Sequence, residues 1–229
     1  MLEEIRAELL ELRDDNYLAF NKKTNPELYN SLGVRIPEQR RIAKRIIKTD
    51  FWRFLDEEPK NYYEEIMIEG IVIASAPMST MERFDYLANF VPKIHDWATC
   101  DCVAASFKIR ESERDQYWDF IMRYRKSEAE FEGRFMLVMI LDHFIMAEYW
   151  ARIIEILEDL PSKAHYVEMA AAWLISVMMV KNRDATLTYL EGDNNLSDFV
   201  QNKAISKCCD SLRVNIEDKM RLKKLRRVK

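Results

Sequence analysis

The chain predicts an all-α fold, a HEAT-like helical-repeat solenoid (an α-α superhelix) whose stacked helix pairs leave a concave groove. Three observations carry this expectation. Glycine and proline are scarce, 4 and 6 among 229 residues, against usual frequencies of about 7% and 5%. No Asn-Gly or Asp-Gly hairpin signal occurs, which argues against tight strand pairing. Apolar residues recur at helical spacing in runs of roughly 10 to 18 residues that pair into units of about 35 to 40, close to the HEAT period of about 40–47. With 48% apolar content, the chain can bury a core as a single helical-repeat domain over residues 1–229.

Leu2, Ile5, Leu9 and Leu12 begin an amphipathic helix, and Tyr17 and Phe20 continue its spacing past Asp14-Asp15 until Thr24-Asn25-Pro26 breaks it. In the connector 32–37, Gly33 permits an unusual backbone and Pro37 can open the basic helix that follows. A short helix, Phe51 to Leu55, ends before Pro59, and the next, Tyr62 to Ala76, is stopped by Pro77. Ser79-Thr80-Met81-Glu82 has capping-box spacing and starts a helix ending near Pro92. Helices are expected from about Asp96 to Arg110 and from Ser112 to Arg125, after which Ser127-Glu128-Ala129-Glu130 repeats the capping box and leads into Phe131 to Met146. Tyr149 to Leu160 is closed by Pro161, and Ala164 to Lys181 is apolar nearly all round, hence buried. Arg183 to Leu190, Leu196 to Leu212 and Glu217 to Leu225 complete the set.

Thirty-five basic and 39 acidic side chains leave a net charge of −4, which by itself argues against a nucleic-acid binder. The distribution says more. Arg41, Lys44, Arg45 and Lys48 form an i, i+3, i+4, i+7 stripe opposite Ile42 and Ile46, and Lys219, Arg221, Lys223, Lys224, Arg226, Arg227 and Lys229 make the C-terminal segment basic. Such a stripe is either a solvated face or a phosphate-binding one. Cysteines come as Cys100/Cys102 and Cys208/Cys209, too close within each pair for ordinary disulfides and without zinc-ligand spacing, so we read them as reduced thiols. A zinc set of His95, Cys100 and Cys102 is the less favoured alternative. The first residues form an acidic amphipathic run and not a signal peptide, and Met169 to Val180, the longest uncharged stretch near the middle of a helix, is too short to span a bilayer. A cytoplasmic protein is expected. No Gly-rich phosphate loop, Ser/His/Asp arrangement or H-E-x-x-H helix is present, which removes the common alternative enzyme classes.

The stretch His95 to Asp101 sets an indole and a carboxylate four residues apart, neighbours on a helix surface. With Trp97 at zero, Asp101 falls at about 40°, whereas Cys100, Val103 and Phe107 gather at about 240–300°, the core side. Trp97 and Asp101 can therefore reach a ligand together. Arg134 points into the apolar stripe of Val138, Leu141 and Ile145, so it must find an anion or an internal partner. Trp173 lies in the most apolar helix, where a core role is the ordinary one. Yet Arg134 follows Asp101 by 33 residues and Trp173 follows Arg134 by 39. One repeat separates each from the next, which places all three along one groove of a solenoid.

Trp97-x-x-x-Asp101, Arg134 heading an apolar helix and Trp173 resemble the AlkD-like DNA glycosylases, the DNA alkylation repair family built from HEAT-like repeats. Leu32-Gly33-Val34-Arg35-Ile36-Pro37-Glu38-Gln39-Arg40-Arg41 is similar to the family's Gly-x-x-x-Pro-x-x-Arg-Arg motif, and the likeness extends over most of residues 28–229. The resemblance implies hydrolysis of the N-glycosidic bond of a cationic alkylated purine, of the 3-methyladenine or 7-methylguanine type, without extrusion of the base. It implies Asp101, Trp97 and Trp173 as catalytic residues, with the indoles flanking the deoxyribose and Asp101 facing the anomeric carbon, and Arg134 on backbone phosphate. The basic stripe Arg41, Lys44, Arg45 and Lys48 would add phosphate contacts. No metal or organic cofactor is implied. The partner is alkylated double-stranded DNA, with no membrane and no obligate protein partner, and a monomer is expected. The chain departs from the family pattern at Ala98, where an Asp is usual, at Met169, where a Lys is common, and at Ser176 and Val177, which follow the Trp where Leu-Arg-Glu is usual. These changes remove polar support around the constellation. The alternative from another class is a HEAT-like scaffold that binds nucleic acid or protein and performs no chemistry.

Overall fold

The computed structural model describes residues 1–26, 28–160 and 162–227. Among them the chain is all helical: fourteen α-helices joined by short 3-10 turns, with no strand. The chain divides into two compact units, Met1–Tyr117 and Trp118–Lys229. The first holds α1 (Leu2–Glu11), α2 (Asp15–Thr24), α3 (Ile36–Lys48), α4 (Phe51–Asp56), α5 (Tyr63–Ser75), α6 (Thr80–Phe90) and α7 (Trp97–Ala104), and the boundary falls within α8 (Arg114–Ile121). The second holds α9 (Glu130–His143), α10 (Trp150–Glu158), α11 (His165–Lys181), α12 (Arg183–Glu191), α13 (Asp198–Asp210) and α14 (Ile216–Lys223).

Within each unit alternate helices stack. In the first, α3 packs on α5 and α5 on α7; in the second, α9 packs on α11 and α11 on α13. The intervening helices lie against this row, α4 and α6 on α5, α12 on α11 and α14 on α13. This is the packing of a HEAT-like helical repeat, in which each helix pair covers the apolar face its neighbour cannot bury alone. The central helices α5 and α11 are consequently buried on most sides, as the continuous apolar run of 164–181 predicts. At Gly70 a Cβ would stand 2.4 Å from Phe90 Cζ and 2.4 Å from Val103 Cγ2, so the missing side chain is what lets α6 and α7 close on α5.

Helix α5 also buries three glutamates, and each is satisfied by a different segment. Glu64 accepts from the backbone N–H groups of Leu32 (3.1 Å), Gly33 (2.9 Å) and Val34 (3.2 Å) and from Ser31 Oγ (2.7 Å). Glu65 accepts from Arg6 Nε at 2.6 Å and from the Asn61 and Tyr62 N–H groups at 2.6 and 3.1 Å. Glu69 takes Lys93 at 3.0 Å and Lys60 at 3.9 Å; burial pushes its carboxyl above the ordinary range while the two lysines oppose the shift.

Several elements differ from the sequence expectation. The first helix is two, because the Asp14 side chain accepts from Tyr17 N–H at 2.9 Å and caps a new helix, leaving Phe20 61% exposed. The helix expected to reach Arg110 ends at Ala104: Ser106 Oγ donates to the Cys102 carbonyl at 2.6 Å and Arg40 Nη2 to the same oxygen at 3.4 Å, drawing off the carbonyl that the next turn needs. Lys108 therefore lies beyond the helix. The box at Ser79/Glu82 forms, but that at Ser127/Glu130 does not, since the Ser127 hydroxyl turns to Glu132 at 2.5 Å and α9 starts at Glu130 itself. The stop expected at Pro161 and the basic Lys229 lie outside the described residues. Among the described residues no helix is long and apolar enough to cross a membrane.

Gly33 has φ +77°, and a Cβ there would lie 2.5 Å from the Asp14 carbonyl oxygen and 2.8 Å from Leu18 Cβ. Gly33→Ala is expected to cost about 2 kcal/mol or more through left-handed strain and overpacking. A urea midpoint unchanged from the parent protein would show that the loop can be rebuilt without its glycine.

Candidate functional site

Helix α7 carries Trp97 at its first position and Asp101 one turn on, and both are half-buried. Its N-terminus is built on Asp96, which is 4% exposed. The Asp96 carboxylate accepts from the Ala98 and Thr99 N–H groups at 2.9 and 3.0 Å, satisfying the helix's orphan donors, and from Asn25 Nδ2 at 2.9 Å. Asn25 follows α2 directly. The preceding Thr24 carbonyl accepts from Trp97 Nε1 at 3.2 Å, so the end of α2 fixes both the helix cap and the indole. Burial and the charge of Asp96 together push the Tyr63 hydroxyl far above its ordinary range. It stays protonated beside that carboxylate.

The other end of α7 is held by Arg40, whose Nη1 donates to Ser106 Oγ at 3.0 Å. A cation at a helix C-terminus is favourably placed against the backbone carbonyls. Burial pushes the Cys102 thiol up, with Arg40 opposing, and burial raises Cys208 to about 12. Neither is a thiolate at neutral pH. All four cysteines are free, and among the described residues no group of three His, Cys, Asp or Glu side chains is placed to hold a metal.

Arg134 and Trp173 belong to the second unit. Arg134 is 6% exposed. Its Nη1 donates to the Tyr166 carbonyl at 3.1 Å, while Glu130 Oε1, one turn earlier on α9, accepts from Tyr166 N–H at 2.6 Å. The pair thus grips both backbone groups of one residue in the first turn of α11. The guanidinium also lies 5.8 Å from the Tyr166 ring centroid. Trp173 is half-buried, two turns further on, and borders a cleft of about 350 Å³ with Ser176, Val177, Lys207, Asp210 and Arg213. The Lys207 ammonium stands 5.9 Å from its ring, a cation already drawn to this indole face.

The basic stripe on α3 is exposed, but its arginines are engaged. Glu8 on α1 pairs with Arg45 and with Arg41 (3.0 Å), and Arg41 also holds Glu38 at 2.7 Å. Lys44 and Lys48 make no ion pair among the described residues. At the C-terminal segment Arg221 pairs with Glu191, and Arg227 binds Asn194 and Leu196. Sequence reasoning missed the supports: the Asp96 cap has a readable pattern, but Asn25 lies 71 residues from it and Arg40 lies 66 from Ser106, separations that no spacing rule reaches.

A family model described as DNA alkylation repair enzyme matches residues 5–208. No curated protein and no solved structure matches the chain.

Two stability outcomes follow from the supports. Asp96→Ala removes a helix cap and strands the buried Asn25 donor, for an expected loss of about 2–3 kcal/mol in urea unfolding; a loss below about 0.5 kcal/mol would mean that water replaces the carboxylate. Arg45, then Arg41, hold the Glu8 carboxyl below its ordinary 4.5. Its contribution is complete above that value and disappears as pH falls through the lowered one. Between about pH 6 and pH 3 the parent protein should lose more stability than Glu8→Gln, and parallel pH curves for the two would remove Glu8 from the acid response.

Proposed function

Because the chain belongs to the DNA alkylation repair enzyme family, we propose that it is a monofunctional DNA glycosylase that hydrolyses the N-glycosidic bond of cationic alkylated purines in double-stranded DNA. The observation that carries this reading is the half-buried pair Trp97 and Asp101 on a short helix anchored at both ends. In the proposed reaction the C1′–N bond breaks and its electron pair neutralises the departing base. No acid is needed for that departure. The sugar becomes oxocarbenium-like, Asp101 stabilises its charge and orients a water, and that water adds to C1′ and loses a proton. Trp97 and Trp173 offer indole faces to the cationic lesion and sugar, an attraction of roughly 0.5–2 kcal/mol each.

Arg134 is assigned to a backbone phosphate on the family likeness, a guanidinium being able to hold a phosphate bidentately. Arg41, Lys44, Arg45 and Lys48 extend the phosphate contacts; exposed ion pairs such as Glu8 with Arg45 are worth about 0–1 kcal/mol, so a phosphate can replace the carboxylate. The family match spans both units, which supports reading residues 1–229 as one functional domain. Four free thiols fit a reducing, cytoplasmic setting, and nothing in the scheme calls for a cofactor or a second subunit. The scaffold reading draws on the acidic net charge and on Ala98, Met169, Ser176 and Val177, which leave the constellation with fewer polar neighbours.

Release of methylated purines from alkylated duplex DNA tests the proposal. Asp101→Asn should slow release by about 100-fold or more with the melting temperature retained. Equal rates would take Asp101 out of the chemistry, and no release by the parent protein across cationic lesions would favour the scaffold.

A further inference from the structure

In the first unit a cleft of about 480 Å³ opens between the end of α5, the start of α6 and the segment that follows α7. Its lining carries three cations, Arg83, Lys108 and Arg110, against one carboxylate, Glu113. Glu113 accepts from Thr80 Oγ1 at 3.2 Å. Arg83 spends its donors on the carbonyls of Ile73, Ala76 and Met78, which are dipoles and leave its charge uncompensated. Lys108 and Arg110 are exposed, and among the described residues Arg83, Lys108 and Arg110 form no ion pair. Elsewhere Arg6, Arg35, Arg41, Arg45, Arg53 and Arg183 are each paired with a carboxylate, in a chain of net charge −4.

The segment 107–110 is irregular, and Arg110 has the extended angles φ −74° and ψ 152°. Lys108 and Arg110 stand two residues apart in this segment, and both line the cleft. A fourth cation, Arg40, sits at the same end of α7: it donates to Ser106 Oγ, and the Ser106 carbonyl accepts from Ser75 Oγ at 3.4 Å, on the cleft's lining. Arg40 likewise has no ion-pair partner among the described residues. Ser75, Thr80 and Tyr117 add hydroxyls to the same lining. Two exposed cations lining one cleft suit a run of phosphates, and they follow the helix that presents Asp101.

We propose that this cleft is a phosphodiester-binding site, in which Lys108 and Arg110 hold successive backbone phosphates of the nucleic-acid strand; the assignment rests on the DNA-directed reading above. Each phosphate neutralised releases counterions and steepens the dependence of binding on salt, by about 0.9 in log–log slope on duplex DNA. The test titrates undamaged duplex DNA over a salt series with the full chain and with the Lys108→Gln/Arg110→Gln double variant, followed by the same comparison on duplexes carrying a single methylphosphonate at successive positions. The expected result is a slope shallower by about 1 to 2 in the variant at an unchanged melting temperature, together with a methylphosphonate position that weakens the parent protein but not the variant. A slope equal to the parent's, or a loss independent of methylphosphonate position, overturns the site. Parent protein without salt-sensitive binding overturns both this site and the DNA-directed reading. Absence of base release sinks only the glycosylase chemistry, because binding is measured on undamaged DNA.

Discussion

Three carboxylates pointing inward from one helix constrain the first unit more than any apolar contact. A helix wrapped on all sides has no solvent in which to hydrate a glutamate, and an unpaired buried charge costs several kcal/mol. Glu64, Glu65 and Glu69 on α5 avoid that cost only by drawing other segments to them: the 31–34 loop, α1 with the 61–62 turn, and the two lysines at 60 and 93. The loop around Gly33 is therefore shaped from inside. Its N–H groups converge on Glu64, and that convergence requires the positive φ that only glycine adopts without strain.

Helix α7 inherits its position from this arrangement. It packs on α5 through Val103 and the gap at Gly70, and α3, which starts where the Glu64-bound loop ends, reaches its far end through Arg40. Its near end is tied to α2 by Asp96 and Asn25. An eight-residue helix has little intrinsic stability, so these ties and its packing decide where Trp97 and Asp101 stand. The second unit solves the equivalent problem differently. There α11 is fixed by two side chains of α9, one accepting from and one donating to Tyr166, two turns before Trp173.

How much of this was legible depends on the range of the interaction. Helix existence, the Ser79 cap and the burial of 164–181 are local or periodic, and the sequence shows them. The split at Asp14 was also legible, as an aspartate three residues ahead of the amide it caps, but the apolar spacing of Tyr17 and Phe20 masked it; Phe20 proves to be exposed. The angular argument at α7 succeeds for Cys100 and Val103, both buried, whereas Phe107, also buried, lies past the end of the helix and outside any helical count. What spacing cannot give is a partner. Nothing adjacent in sequence says that Arg134 will meet a carbonyl, that Asp96 will meet Asn25, or that acidic residues between 56 and 69 will include three buried ones.

The same limit applies to charge. Net charge treats every ionised side chain as equally available, whereas in this protein most arginines are closed by carboxylates and contribute little potential beyond their own pair. The field that an anionic partner meets is set by the cations left over. Around α7 these are Arg40, Arg83, Lys108 and Arg110, none of them paired with a carboxylate among the described residues. The arginines on α3 stand in reserve, since they are themselves exposed and their pairs with Glu8 can be exchanged at small cost. An acidic chain can in this way present a local basic patch: by burying or pairing carboxylates where the fold needs them, and leaving four cations without a carboxylate beside α7, the helix that carries Asp101.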